Sequence, residues 1–463
     1  MNKKPKILSV FALVMINVIA VDSLRTVPIT AKLGLPLVSY YLFAAIAFFI
    51  PVALVAAELA TAYPRNGGLY IWIKEAFGQR TGFASIWLQC IYNLIWFPTI
   101  LLFIASTCAY IIDPKLAHHQ GFLTTTIISL FWLFTGLNCF GLRIASIIST
   151  IGAILGTLLP MMGIIIMAGV WLLKGHAPVN DFHGSLLPDL SNAKPLSMFV
   201  IVLFGLIGIE MSAVHAGDVK NPQKDYPKAI LYSAIMIMAT LVLSALAILV
   251  VVPLPKLSLV TGLVHAYDLF FKAYHLEWMT HIVAGLIVMG SLSSVSTWML
   301  GPLKGLVIAA HQSDMPHALY QLNRYQAPYR MLIIQAMIFT VISLAFIYVP
   351  SINAAYWWLS DISAQLALII YMIMFAAFIK LRFTQAQRPR VYKVPGGTIG
   401  MWLIAGLGFS CSLFGFLIGF ISPSQIPSTA KGLSIQMMIA LIFILIAIPF
   451  ILGTKHLKIK KPQ

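Results

Sequence analysis

Charge is what this sequence has least of. Only 9% of its 463 residues are charged and 13 are acidic, against roughly 25% charged residues in a soluble globular domain. That excludes water as the solvent for most of the chain. Cysteine is scarce as well. Cys90, Cys108, Cys139 and Cys411 all fall inside apolar segments, without CxxC spacing or a second set of ligands, which excludes a zinc cluster and leaves them as packing residues. No HExxH, P-loop or GxSxG motif occurs, which removes the usual signatures of metalloprotease, nucleotide and serine-hydrolase chemistry. Nor does any linker, low-complexity stretch or water-soluble domain interrupt the chain, so extramembrane catalysis is not expected and no cofactor is implied.

What fills the sequence is hydrophobic length. Sixty per cent (60%) of the residues are hydrophobic, in runs that exceed the roughly 18 residues sufficient to cross a hydrocarbon core. An all-α integral membrane protein of about twelve transmembrane helices follows. Six spans are expected near Ile7 to Leu33, Pro36 to Ala62, Gly82 to Ile112, Leu123 to Phe140, Ala145 to Leu173 and Leu196 to His215. Six more are expected near Ala229 to Val252, Met279 to Ala310, Met331 to Val349, Ala354 to Ile379, Met401 to Ile421 and Leu433 to Leu452. Lys3, Lys4 and Lys6 before a long apolar run imitate a signal peptide, but no small-residue cleavage site ends a short apolar region, so this stretch reads as the first span.

The net charge of +17 does not point to nucleic acid, because the basic residues sit in short loops rather than on one face. They read as topology signals instead. With both termini inside, most of the 30 Lys and Arg lie on that side, including Arg65, Lys74, Arg80, Lys220, Lys224, Lys228, Arg388 and Arg390. This is the positive-inside bias of a cytoplasmic-membrane protein. The longest loops, around Gly175 to Pro195 and Pro253 to Glu277, then lie outside and have room for short helices or gates.

Ionisable residues within a span are costly unless they face a polar cavity or a partner, which makes them functional candidates. Asp22 in span one, Glu210 in span six and Asp361 in span ten qualify, with Arg25 as the matching cation. Span one loses its apolar character at Val21-Asp22-Ser23-Leu24-Arg25 and meets Pro28, and span six carries Gly205-Leu206-Ile207-Gly208-Ile209-Glu210. Both helices read as interrupted, since glycine costs a helix about 1 kcal/mol and freed backbone groups are tolerated at membrane depth only where they line a cavity. Interrupted helices five spans apart suggest an inverted repeat whose half-helix ends hold the substrate's charged groups.

Bland readings stand beside these. The glycines can serve close helix packing, Asp22 can cap the helix break and pair with Arg25, and Asp361 reads more readily as a water-facing residue near a span end. Trp298 can stack on a substrate, close a gate, or anchor the membrane interface, whereas Trp357 and Trp358 read as interface anchors. Ser293, Ser294, Ser296 and Thr297 offer oxygens to sodium, although such hydroxyls commonly bond their own helix carbonyls. His215 ends span six close to Glu210 in sequence and invites a proton relay. His118, His119, His176, His183, His317 and His456 lie in loops without a metal-ligand pattern.

Certain stretches are more specific. Ala57-Glu58-Leu59-Ala60-Thr61-Ala62-Tyr63-Pro64 with Gly67-Gly68-Leu69-Tyr70, Gly208-Ile209-Glu210 followed by Val219-Lys220-Asn221-Pro222 and Asp225-Tyr226-Pro227, Trp298 with Gly301-Pro302, and Val391-Tyr392-Lys393-Val394-Pro395-Gly396-Gly397 come in an order that resembles the amino acid–polyamine–organocation (APC) superfamily. Within it, the chain is most similar to the glutamate/GABA antiporter family. The resemblance covers nearly the whole chain. It implies a LeuT-like fold of two inverted five-helix repeats, here 1–173 and 196–380, with discontinuous helices 1 and 6 and two peripheral helices in 401–453. It also implies alternating access around the broken helices, a match between Glu210 and the family's span-six glutamate, and gate-like positions for Phe204 and Trp298.

The chain departs from that pattern in span one, where Val21-Asp22-Ser23-Leu24 replaces a glycine-rich break. Asp22 there would favour an ammonium and Arg25 a second carboxylate, as an acidic amino acid carries. The chain ends shortly after span twelve, so the C-terminal plug of acid-resistance antiporters is not expected, and span five carries no lysine of the kind that some proton-coupled relatives use.

The expected substrate site is therefore Val21, Asp22, Ser23, Arg25, Phe204, Gly205, Gly208, Ile209 and Trp298, with Glu210 sensing or transferring a coupling proton as the site reorients. The expected function is amino-acid exchange or proton-linked uptake, with the lipid bilayer and an amino acid as partners. A sodium-coupled symporter and an amino-acid sensor are the alternatives.

Overall fold

A computed structural model describes residues 8–188, 193–312, 320–344 and 352–421. Among them the chain is helical throughout, and eight helices are long and apolar enough to cross a membrane. Helix α1 (Val10–Val21) and α2 (Thr26–Ala31) come first. Then follow α3 (Leu37–Ala62), α4 (Leu69–Phe77), α5 (Gln79–Ile112), α6 (Gln120–Asn138) and α7 (Ile144–Leu173). The second half contains α8 (Ala193–Gly205), α9 (Pro222–Val251), α10 (Gly262–Ala273), α11 (Met279–Gln312), α12 (Tyr329–Leu344), α13 (Ile352–Thr384) and α14 (Gly397–Ile418). The span expected at Leu433 to Leu452 lies outside the described residues.

The first span is interrupted where the sequence breaks, into two helices. Asp22 leaves helical geometry at ψ 74°, and the backbone turns through Ser23 N–H donating to the Val21 carbonyl and Thr26 N–H to the Ser23 carbonyl. Pro28 then sits in the first turn of α2, where a missing N–H costs little because no intrahelical acceptor exists for it. The sixth span is broken likewise. Helix α8 stops at Gly205, residues 206–210 form turns, and a 3₁₀ stretch (Met211–Asp218) follows. Gly208 takes φ +118°, and a Cβ there would lie 2.7 Å from Cζ2 of Trp298, so conformation and space both demand glycine. The two interrupted segments meet at their far ends, where Lys220 N–H donates to the Leu8 carbonyl at 3.2 Å.

Sequence hydropathy placed some boundaries wrongly. Helix α9 begins at Pro222, two turns ahead of the apolar run, with Pro227 tolerated near its N-terminus. Helix α4 lies between the expected second and third spans, and α10 occupies the second long loop, where a short helix was among the expectations. The body is held by α5 and α11, which pack along each other, with α7 pressed onto α11 where Gly156 meets Gly290. A Cβ on Gly156 would lie 2.2 Å from the Gly290 nitrogen, so the backbones approach as closely as small residues allow.

Candidate functional site

The break between α1 and α2 faces the break after α8, and the side chains around them enclose a narrow cavity. Ala20, Val21, Ser23, Arg25 and Thr26 line one side, Phe204, Gly205 and Ile207 another, and Tyr92, Asn93, Trp96 and Trp298 the rest. Its water-accessible space is about 20 Å³, room for roughly one water. A space of this size admits nothing larger than water until the residues around it move apart.

Arg25 is the charged residue of this lining. It is 2% exposed, and its guanidinium lies 5.4 Å from the centre of the Phe204 ring, 5.5 Å from Tyr356 and 6.0 Å from Trp96. Cation–π attraction of this kind strengthens where water is excluded. One terminal nitrogen donates to the Tyr356 hydroxyl (3.1 Å) and to Ser360 Oγ (3.2 Å), while Nε has no acceptor among the described residues. A guanidinium has five N–H donors in a planar fork suited to a carboxylate, so this one keeps a donor unused.

Trp298 fixes the opposite wall. Its indole N–H donates to the Ala20 carbonyl at 3.0 Å, one of the carbonyls that the end of α1 leaves without a helical partner. Tyr92 and Trp96 pack against the indole, each with ring centres 5.9 Å away. A residue 4% exposed and locked in this way is no interface anchor.

Glu210 lies behind the second break. It is 3% exposed, and its carboxylate accepts from the Tyr371 hydroxyl at 2.6 Å. The same hydroxyl accepts from the Gly208 N–H at 3.0 Å, so one phenol on α13 ties the unwound backbone to the carboxylate.

Not every expected site residue faces the cavity. Val21, Ser23, Arg25, Phe204, Gly205 and Trp298 line it, whereas Asp22, Gly208, Ile209 and Glu210 do not. Asp22 turns the other way, onto α9, where Oδ2 accepts from the Thr240 hydroxyl at 2.7 Å and Oδ1 has no donor among the described residues. The pairing of Asp22 with Arg25 considered from sequence is not formed, because Arg25 is held by Tyr356 and Ser360 on the other side of the break. Asp361 is a further correction. It is 9% exposed and follows Ser360 within α13, so the rotation of that helix turns it inward rather than to water. The side chain of His215 lies outside the described ones.

Of the four hydroxyls suggested as sodium ligands, three are engaged within the protein, and Ser294 Oγ is buried without a partner among the described residues. Ser293 donates to the Met289 carbonyl, Thr297 to the Ser293 carbonyl, and Ser296 to Asn138 Oδ1. Several cavity residues went unnoticed in the sequence, above all Asn93, whose side-chain nitrogen and oxygen are both buried without partners among the described residues. A neutral amide within an apolar run was its only signal. Tyr356, Ser360 and Tyr371 carried none, because nothing local says which face of α13 meets the breaks.

Comparison with known proteins bears on this arrangement. A family model described as amino acid permease matches residues 6–448. The chain is 54% identical to an uncharacterized transporter of Legionella pneumophila over 98% of both chains. It is 27% identical to a glutamate/gamma-aminobutyrate antiporter of Lactococcus lactis, over 98% of this chain and 92% of that protein. A probable agmatine/putrescine antiporter of Lactococcus lactis is also 27% identical, over 76% of this chain and 74% of the other.

Proposed function

Since the chain belongs to the amino acid permease family of the APC superfamily, and so is a multi-pass membrane transporter and not an enzyme, we propose that it exchanges an acidic amino acid by alternating access. The observation that carries the substrate class is Arg25, a buried cation in the cavity wall with donors still unused. In this reading the side-chain carboxylate of glutamate or aspartate meets Arg25, and the α-carboxylate and ammonium meet the freed backbone of the two breaks and the Asn93 amide. The likeness to glutamate/gamma-aminobutyrate antiporters favours exchange for a decarboxylated or neutral amino acid.

The same proposal takes the architecture as about twelve spans, with 1–173 and 196–380 as inverted repeats around the interrupted first and sixth helices and 401–453 as peripheral. Both termini lie on the cytoplasmic side of the cell membrane. Val21, Ser23, Arg25, Phe204, Gly205 and Trp298 surround the substrate, with Asp22, Gly208 and Ile209 shaping the breaks from behind. Glu210, linked through Tyr371 to the Gly208 amide, couples a proton to the change of shape at the second break.

Transport in proteoliposomes tests this. Radiolabelled glutamate, aspartate, GABA and glutamine would be offered to vesicles loaded or not with the same compounds, at two pH values and with or without sodium. Uptake of glutamate or aspartate that requires internal substrate is expected, and Arg25→Gln should raise KM for them by about 30-fold or more, as losing one partner of a buried charge pair costs about 2–5 kcal/mol. Uptake into unloaded vesicles under a proton gradient would replace exchange by symport. Equal handling of all four compounds by the variant and the parent would remove the acidic substrate.

A further inference from the structure

Arg382 and Arg390 share the charge of Glu58, at 2.7 Å and 3.2 Å, but Arg25 has no such partner. It is 2% exposed, and no carboxylate lies within ion-pair distance of it among the described residues. Asp22, the nearest acid in sequence, turns away to Thr240. What surrounds the guanidinium is neutral, two hydroxyls and three aromatic rings. Such groups polarise toward a cation without offsetting its charge, and a charge left uncompensated away from water is costly.

The cavity beside Arg25 is lined by groups able to hold a counter-ion. Both hydrogen bonds of the guanidinium leave from one terminal nitrogen. The other terminal nitrogen has no acceptor among the described residues and, unlike Nε, is not shut off from water-accessible space. The half-buried Ser23 lines the same cavity, and its hydroxyl is likewise accessible and without a partner among the described residues. Ser23 and Arg25 stand two residues apart at the break, around a space of about 20 Å³, so a single small occupant meets both. No acidic side chain lines this cavity.

We propose that, before substrate arrives, the cavity binds a small monovalent anion, chloride, between the Arg25 guanidinium and the Ser23 hydroxyl, and that the substrate's carboxylate displaces it. Chloride fits the charge of the lining, which has a cation and no acid. It also fits the space, since it is only slightly larger than water and enters with small shifts of the surrounding side chains, whereas a polyatomic anion such as gluconate is excluded. Displacement rests on the proposed meeting of Arg25 with the substrate's side-chain carboxylate; binding of the halide does not.

Thermal unfolding of the purified full chain in detergent, in sodium chloride or in sodium gluconate at equal ionic strength, tests the site without transport. The melt should be higher by about 2 °C or more in chloride, as for a ligand that binds only the folded state. Arg25→Gln should abolish the difference and Ser23→Ala should reduce it. Should Arg25→Gln not fold, bromide reads the same site in the parent, because Trp96 and Trp298 line the cavity. Quenching of tryptophan fluorescence by bromide should then contain a saturable part that chloride relieves. Equal melts in the two salts, a chloride effect that persists in Arg25→Gln, or quenching that only rises linearly with bromide would each overturn the halide site. In proteoliposomes, chloride in place of gluconate should raise KM for glutamate by about twofold or more with the maximal rate unchanged. A protein stabilised by chloride whose glutamate uptake ignores it would keep the halide, overturn its displacement and remove the substrate's carboxylate from Arg25.

Discussion

Glu58 and Glu210 are buried almost equally, at 0% and 3% exposure, but their surroundings have little in common. Glu58, near the end of α3, has Arg382 Nε at 2.7 Å and Arg390 Nε at 3.2 Å, and accepts from the Val394 N–H at 2.7 Å. Around it Arg388 donates to the Ala62 carbonyl and stacks over the Tyr63 ring at 3.9 Å. Among the described residues Glu210 meets the Tyr371 hydroxyl and the backbone N–H groups of Gly208 and of itself but no cation, and Asp22 meets one threonine hydroxyl. A carboxylate ringed by cations and a backbone amide holds one charge and one position. One that meets neutral donors alone is free to change both. The first kind ties α3 to the segment between α13 and α14, and the second kind lies at the helix breaks, where the proposed alternating access would require rearrangement.

The comparison is broken most severely at Glu58. Glu58→Gln keeps the shape but removes the charge that Arg382 and Arg390 share, and breaking a buried ion pair from one side costs about 3–5 kcal/mol. The variant should express poorly and melt well below the parent when followed by size-exclusion chromatography and thermal unfolding. Arg390→Leu should lose less, because Arg382 still faces Glu58. If Glu58→Gln melts with the parent, the cluster is not the anchor described.

A smaller loss is expected at Thr240. Thr240→Val leaves both oxygens of Asp22 without a donor among the described residues, a cost of about 1–3 kcal/mol for a buried polar group. Thermal melts should show this drop, and adding Asp22→Asn should recover part of it, because an amide loses less than a carboxylate in a dry seam. Strict additivity of the two changes would mean that the hydrogen bond seen between them contributes nothing.

These regions also mark where sequence reading succeeds. Membrane spans and the two breaks were legible, because a long apolar run and its interruption by Asp22-Ser23 or Gly205 to Gly208 are local properties. The landmark stretches around Glu58 and Val391 to Gly397 were visible too, but not that they grip each other, since Glu58 and Val394 are separated by 336 positions. Side-chain direction at a break was equally hidden. Once helical phase is lost at Asp22, spacing no longer says whether the carboxylate faces the cavity with Ser23 and Arg25 or turns to Thr240. Asp361 was misjudged for a related reason: its position on α13 is turned inward, and hydropathy does not report helix rotation. Neutral partners such as Asn93 and Tyr371 escape any search for charge.

The finest test is Glu210→Gln, where little stability should change. Its amide oxygen still accepts from Tyr371, so the link from that hydroxyl to the Gly208 N–H survives and the melt should stay within about 1 kcal/mol of the parent. What the amide cannot do is take up or release a proton. Exchange by the variant should therefore continue while its rate becomes the same at the two pH values, whereas the parent's rate differs between them. Tyr371→Phe supplies the contrast, because it leaves both the Gly208 N–H and the carboxylate without their shared partner and should slow exchange at either pH. If Glu210→Gln destabilised the protein as much as Glu58→Gln, Glu210 would be a second anchor, and the proton at the helix break would have to be sought on another group. An unchanged pH response in a stable variant would remove Glu210 from coupling and leave it the lesser task of holding Tyr371 against the break.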